Sequence, residues 1–207
     1  MQMSFKTWLG EDLDTAADKV FSQRGKNAKL PHSKILAALG IDHPDPLRQI
    51  NQGSLATIYQ HPLDPMKVIK VTSDMNDAKN LVKAQKINSP NVVKIYQSGK
   101  VNAKAVALVA DYIQGDSMPY NTNALLSLIG GDRFDDAATA SRAIFRPDRT
   151  RDKVLNQLGL DTTEERTKLS QLFKSLAQLE RLGIDVFDFT DNILDAGDHY
   201  VMIDLGM

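Results

Sequence analysis

The chain has 207 residues, 42% hydrophobic and 25% charged, enough apolar material for one well-buried domain or two small lobes sharing a cleft. A formal net charge of -1 offers no basic footprint for nucleic acid, and zero cysteines exclude disulfides and thiolate metal sites and fit a reducing cytoplasm. The N-terminal stretch has no apolar core of signal-peptide kind, and no apolar run approaches the ~18 residues of a spanning helix. A soluble, cytoplasmic protein without a membrane partner is expected.

Residues 1–46 read as a helical extension. Leu13, Ala16, Ala17, Val20 and Phe21 share one helical face. Ser33 is expected to cap a second short helix, Lys34 to Leu39, which Gly40 ends. Asp42-His43-Pro44-Asp45-Pro46 then marks a turn-rich boundary.

Residues 47–111 read as a sheet with one helix. Ile50 to Tyr59 places a turn at Gly53 between two β-prone runs, His61 to Pro65 is a second turn, and Lys67-Val68-Ile69-Lys70-Val71 is a β-branched strand. Lys70 stands in the middle of that apolar strand, where lysine is rarely buried without a partner, and a phosphate would be such a partner. Ser73 is expected to cap a helix lined by Ala78, Leu81 and Val82 and stopped by Asn88-Ser89-Pro90. Asn91 to Tyr96 and Ala105 to Ala110 read as two antiparallel strands around a Ser98-Gly99-Lys100 turn.

Residues 112–207 form the third segment, entered through a hinge at Asp111 to Asp116. Asn123 to Ile129 suggests a short helix, and Arg142, Arg146, Arg149, Arg151 and Lys153 form a basic stretch, read as a solvated face or as a docking patch for an acidic partner or phosphate. Thr163 to Leu182 is the clearest helix, with Leu169, Leu172, Phe173, Leu176, Leu179 and Leu182 in one apolar stripe. Thr162 and Glu165 make a capping box, and Gly183 ends the helix. The chain closes with Asp188, Asn192 and, after an apolar run, Asp204-Leu205-Gly206.

In sequence order these parts are a Gly turn, a strand Lys, a helix, an Asn91-Val92-Val93-Lys94 strand, a hinge, a long helix, an Asp/Asn loop and Asp-Leu-Gly. Over Ile50 to Gly206 the chain thereby resembles the protein-kinase superfamily. His61-Pro62-Leu63, Val68-Ile69-Lys70-Val71 and Phe187-Asp188 ahead of Asn192-Ile193 are most similar to the small early serine/threonine protein kinases of T7-like bacteriophages. The resemblance implies an α+β, two-lobed protein-kinase-like fold with an antiparallel-sheet N-lobe and a reduced, mostly helical C-lobe ending just after Asp-Leu-Gly. It also implies an ATP- and Mg²⁺-dependent phosphotransferase acting on bacterial host proteins in the host cytoplasm, with self-phosphorylation a further outcome.

Phosphoryl transfer asks the protein mainly for positioning and charge stabilisation, and Mg²⁺ takes hard oxygen ligands, often one or two from protein. The resemblance therefore implies that Gly53 and Ser54 cover the nucleotide phosphates and that Lys70 reaches the α/β-phosphates. It implies that Asp111 to Ile113 offer backbone hydrogen bonds to adenine, that Asn192 and Asp204 hold Mg²⁺, and that Asp188 accepts the proton of the attacking hydroxyl.

Four departures stand against a standard member. The phosphate loop has Asn51, Gly53 and Ala56 where three glycines are usual. No Glu lies between Val71 and Lys104 to orient the strand Lys, so Asp77, or Asn80 by a hydrogen bond, has to substitute. The Asp188–Asn192 spacing is one residue short, which makes Asp185 a rival base. The sequence also ends at Met207, where an activation segment and peptide platform would follow. These departures keep two alternatives open, an inactive kinase-fold binding or inhibitory module and a small-molecule kinase.

Overall fold

The structure is a computed structural model that describes residues 30–52, 55–120, 156, 162–184, 186 and 192–206. Its first sheet has five antiparallel strands in the order β1-β2-β3-β5-β4: β1 Gln49–Gln52, β2 Ala56–Gln60, β3 Lys67–Thr72, β4 Ile95–Asn102 and β5 Ala105–Asp111. Strand periodicity assigns the β3 side chains to two faces. Ile69 and Val71 join a cluster with Ile35 and Leu36 of α1 (His32–Ala38) and with Leu39 at its C-cap. Val68 faces the other way, into the main core with Ala78, Leu81 and Ala84 of α2 (Met75–Ala84). Lys70 shares that second face, so the strand delivers its ammonium to the side where α2 and the C-terminal segment meet.

Several local expectations are corrected. Pro31, not Ser33, stands at the N-cap of α1, and His32 accepts a hydrogen bond from the Leu47 amide at Nδ1 (2.9 Å), tying the helix to the sheet. Asp74, not Ser73, caps α2: its carboxylate accepts from the amides of Asn76 and Asp77, and an anion at that end also suits the helix dipole. Val82 points outward, and the buried line is Asp77, Ala78, Leu81 and Ala84.

The turn expected at Ser98-Gly99-Lys100 is straight strand. A Cβ on Gly99 would lie 1.9 Å from the Ala38 carbonyl oxygen, so this glycine lets α1 lie close on β4, and the reversal comes at Ala103 and Lys104. Asn91 to Val93 does not enter the sheet. It runs beside the C-terminal hairpin, with the Val93 amide donating to the Met202 carbonyl (2.9 Å) and the Met202 amide to the Asn91 carbonyl (2.8 Å).

Beyond β5 the chain pairs β6 (Asp116–Ser117) with the hairpin β7 (Ile193–Asp195) and β8 (Tyr200–Met202). Gly115 is required there, because a Cβ would meet the Asp195 carbonyl oxygen at 2.1 Å. α3 (Thr163–Arg181) packs its stripe of Leu169, Leu172, Phe173, Leu176 and Leu179 against Ile193, Leu194, Tyr200 and Met202, and the core runs on without a break into the N-lobe. Thr162 Oγ1 accepts from the Glu165 amide (3.1 Å), the first half of the capping box. The Glu165 side chain binds elsewhere, as described below. The described part thus has the expected α+β composition with a first antiparallel sheet, and its described C-terminal part combines one long helix with a small three-stranded sheet instead of being mostly helical. Among the described residues no helix is long and apolar enough to cross a membrane.

Candidate functional site

Lys70 and Asp204 are 134 positions apart and meet at 3.1 Å (Nζ to Oδ2). Asp77 of α2 supplies a second carboxylate oxygen, Oδ2, at 2.8 Å from the same ammonium, and the Ile203 carbonyl lies at 3.5 Å. The strand Lys therefore has its orienting carboxylate, and it is Asp77. The alternative, Asn80, instead donates from Nδ2 to the Leu205 carbonyl (2.8 Å).

The side chains of Lys70, Asp77 and Asp204 are 2%, 1% and 16% exposed. One cation thus serves two carboxylates in a nearly dry place, and the protonation states follow from that arithmetic. Burial alone would push the Lys70 ammonium down, but Asp204 and Asp77 outweigh it and hold it above its ordinary value. Burial pushes the Asp77 carboxyl up to about 7, against the pull of Lys70, with the Asp204 charge adding to the rise. Burial also works against ionised Asp204, yet Lys70, a hydrogen bond with Asp77 and the Gly206 amide together hold its carboxyl below the ordinary range.

The two partners of Lys70 therefore split. Asp204 is the ionised one, and Asp77 is the one that titrates. Geometry agrees: Asp77 Oδ1 accepts from the Leu205 amide (3.1 Å), while the buried Oδ2 meets Lys70 only as an ion pair at 2.8 Å.

Asp204 is the more open of the two carboxylates. Its Oδ1 accepts from the Gly206 amide (2.9 Å) and Oδ2 from Lys70 (3.1 Å), and an ionised carboxylate is the hard oxygen ligand that Mg²⁺ takes. Asn192 sits at the start of the same hairpin, where its carbonyl accepts from the Ile203 amide (2.9 Å), one residue before Asp204. Among the described residues no three His, Cys, Asp or Glu side chains gather as a metal cage.

At the hinge, the Asp111 amide donates to the Lys94 carbonyl (3.2 Å) and the Tyr112 amide to the Met66 carbonyl (2.9 Å). Tyr96 Oη donates to Asp111 Oδ1 (2.7 Å). Of the backbone groups expected to bond adenine, the Asp111 and Tyr112 amides are thus used internally, and no hydrogen bond ties the Ile113 amide among the described residues. Gly53, Ser54, Asp188, its rival Asp185 and the basic stretch from Arg142 to Lys153 lie outside the described residues. So do the Leu13–Phe21 helix and the one at Asn123–Ile129.

A second charged cluster went unread in the sequence. Lys168 Nζ contacts both Asp195 oxygens (2.8 and 2.9 Å) and Glu165 Oε1 (3.2 Å), and it lies 4.8 Å from the Tyr200 ring centroid. Glu165 Oε2 accepts from Tyr200 Oη (2.9 Å) and Tyr120 Oη (3.3 Å), which is why it does not complete the capping box. The available signal was Lys168 itself, four positions before Leu172 on the buried side of α3. A separate open cleft of about 290 Å³, lined by residues including His43, Arg48 and His61, contains none of Lys70, Asp77 and Asp204. It is a loop-edge feature and not the candidate site.

No known protein-family profile matches the chain, and no curated protein matches it. Among solved structures it is similar to a thermostable mutant of aminoglycoside phosphotransferase APH(4)-Ia in the apo form, at 12% identity and a TM-score of 0.38, over 84% of this chain and 70% of that one. The ternary complex of that protein with ADP and hygromycin B matches at 13% identity and a TM-score of 0.39 over the same shares. A complex with AMP-PNP and hygromycin B matches at 12% and 0.39, again over 84% and 70%. These similarities carry no residue correspondence, and the site rests on its own geometry.

Proposed function

We propose that the protein is an ATP- and Mg²⁺-dependent phosphotransferase whose nucleotide site is built on Lys70 and Asp204. The observation that carries this reading is the convergence of a mid-strand lysine, a carboxylate from α2 and the aspartate of Asp-Leu-Gly in one buried cluster. When bound, Mg²⁺ would neutralise charge on the phosphates. Asp204 and Asn192 are the residues to hold it. Lys70 places a fixed positive charge beside that position, Asp77 orients Lys70, and Ile113 is the hinge residue best placed to hydrogen-bond adenine. Gly53 and Ser54 cover the phosphates, and Asp188 takes the proton of the acceptor hydroxyl.

The acceptor is a serine or threonine hydroxyl of a bacterial host protein, by the resemblance to T7-like phage kinases. A small-molecule hydroxyl is the competing acceptor. Incubation with Mg²⁺ and γ-labelled ATP, alone and with a bacterial lysate, tests the reading. Labelled protein at serine or threonine supports it, label only in small molecules moves the acceptor class, and no ATP turnover or binding at all overturns it.

One observation favours a second reading, a kinase-fold binding module. Lys70 is already held by two carboxylates and a carbonyl, so a phosphate must displace part of that shell to reach it. Tight nucleotide binding without transfer would select this module.

A further inference from the structure

One face of α2 is polar and is turned wholly toward the Asp-Leu-Gly segment. Asp74, Asp77 and Asn80 recur every third residue, and each meets a different part of that segment. Asp77 Oδ1 accepts from the Leu205 amide (3.1 Å), and Asn80 Nδ2 donates to the Leu205 carbonyl (2.8 Å). A Cβ on Gly206 would lie 2.7 Å from Asp74 Oδ2 and 3.1 Å from Asp77 Cβ, so the helix rests directly on the glycine. The peptide groups on either side of Leu205 are thus gripped from the same helix, immediately after Asp204.

We infer that Asn80 is a positioning residue for the metal-binding carboxylate, acting with Asp77 as a two-point clamp on Leu205 that fixes the direction of Asp204. Asn80 touches neither Lys70 nor Asp204 by any hydrogen bond, so its effect reaches the metal only through the Leu205 backbone. The fixed backbone sets where the Asp204 oxygens point, and Mg²⁺ is demanding of oxygen geometry. Residues that orient a metal ligand typically change metal affinity about 10–100-fold when removed. The inference deepens the phosphotransferase reading and rests on it for its metal readout.

The test uses the full chain and two variants. Asn80→Ala removes the side chain, and Asn80→Asp keeps the shape but cannot donate to a carbonyl. Mg²⁺ is titrated at fixed ATP while thermal stability is followed, and ATP binding is measured separately in a chelator. In parallel, amide hydrogen exchange at Leu205 and Gly206 is followed without metal or nucleotide.

The clamp predicts that both variants need about 10–100-fold more Mg²⁺ for the half-maximal shift. It predicts chelator-phase ATP binding within about twofold of the parent, and faster exchange at Leu205 and Gly206. A Mg²⁺ requirement within about twofold of the parent in both variants overturns the clamp and leaves the phosphotransferase reading standing. If the parent shows no ATP response at any Mg²⁺ level, the phosphotransferase reading fails, and exchange alone decides the clamp: unchanged exchange in both variants overturns it.

Discussion

Two buried lysines, each between two carboxylates, divide the molecule. Lys168 lies within the C-terminal segment and joins α3 to β7, and its carboxylates Glu165 and Asp195 are 27% and 28% exposed. Each of its partners has further hydrogen bonds, to Tyr200, Tyr120 or the Gly197 amide. Lys70 joins β3, α2 and the C-terminal segment, its carboxylates are 1% and 16% exposed, and one oxygen of Asp77 lacks a good hydrogen bond. The first cluster is satisfied and its carboxylates are partly in water, as a structural brace should be. The second gathers one cation and two carboxylates in a nearly dry place at the junction of three elements, where perturbed titratable groups mark candidate sites for charged ligands.

The comparison breaks most visibly at Lys70. Removing a lysine that faces a cleft should be cheap, but here it leaves two buried carboxylates uncompensated. Lys70→Ala is expected to lose about 3–5 kcal/mol of stability along with nucleotide binding, read by urea unfolding and ATP titration. A loss below about 1 kcal/mol would show that the two carboxylates do not depend on the Lys70 charge.

Lys168→Met should cost less, about 1.5–3 kcal/mol, since its partners can turn to solvent. Nucleotide affinity should stay parental. Affinity falling with stability would erase the distinction between brace and site.

Asp77→Asn sharpens the contrast through pH. The Asp77 carboxyl ordinarily titrates at 3.8 and in the fold at about 7, so between these values the folded state holds a proton the unfolded state has lost. Stability from this group is therefore full below about pH 4 and is lost as pH rises through 7. Asp204 works in the opposite sense, and only below the ordinary carboxylate range. Unfolding free energy measured from pH 4 to 8 should fall more steeply in the parent than in Asp77→Asn, and equal slopes would remove Asp77 as the titrating partner. The smallest effect is expected at Val82, on the exposed side of α2, where Val82→Ser should stay within about 0.5 kcal/mol and leave the ATP response intact.

Much of this was legible in the residues. The α3 stripe and the apolar run before Asp204 follow from period and composition because they face one core, and the strands around Lys70 read as near-continuous apolar runs because both of their faces are covered. The residues between Val71 and Lys104 offer Asp77, or Asn80 by a hydrogen bond, as the partner of Lys70, and the fold separates them: Asp77 meets the ammonium and Asn80 the Leu205 carbonyl. Gly99 misled for a physical reason, since a glycine that admits a neighbouring helix has the same sequence signature as one that turns the chain. Lys168 was overlooked because a lysine on a helix is ordinarily solvated, and its partner Asp195 is distant in sequence.

The most direct measurement of the central claim is the stabilisation by ATP with and without Mg²⁺ in the parent and in Asp204→Asn. An isosteric amide keeps the packing and removes the charge that a hard divalent cation needs. At about 100 times its dissociation constant, Mg²⁺-ATP should add about 2.7 kcal/mol to the parent. In Asp204→Asn the Mg²⁺-dependent part should vanish while the metal-free part remains. An equal Mg²⁺-dependent gain in both proteins would contradict the assignment of Asp204, and with it the site.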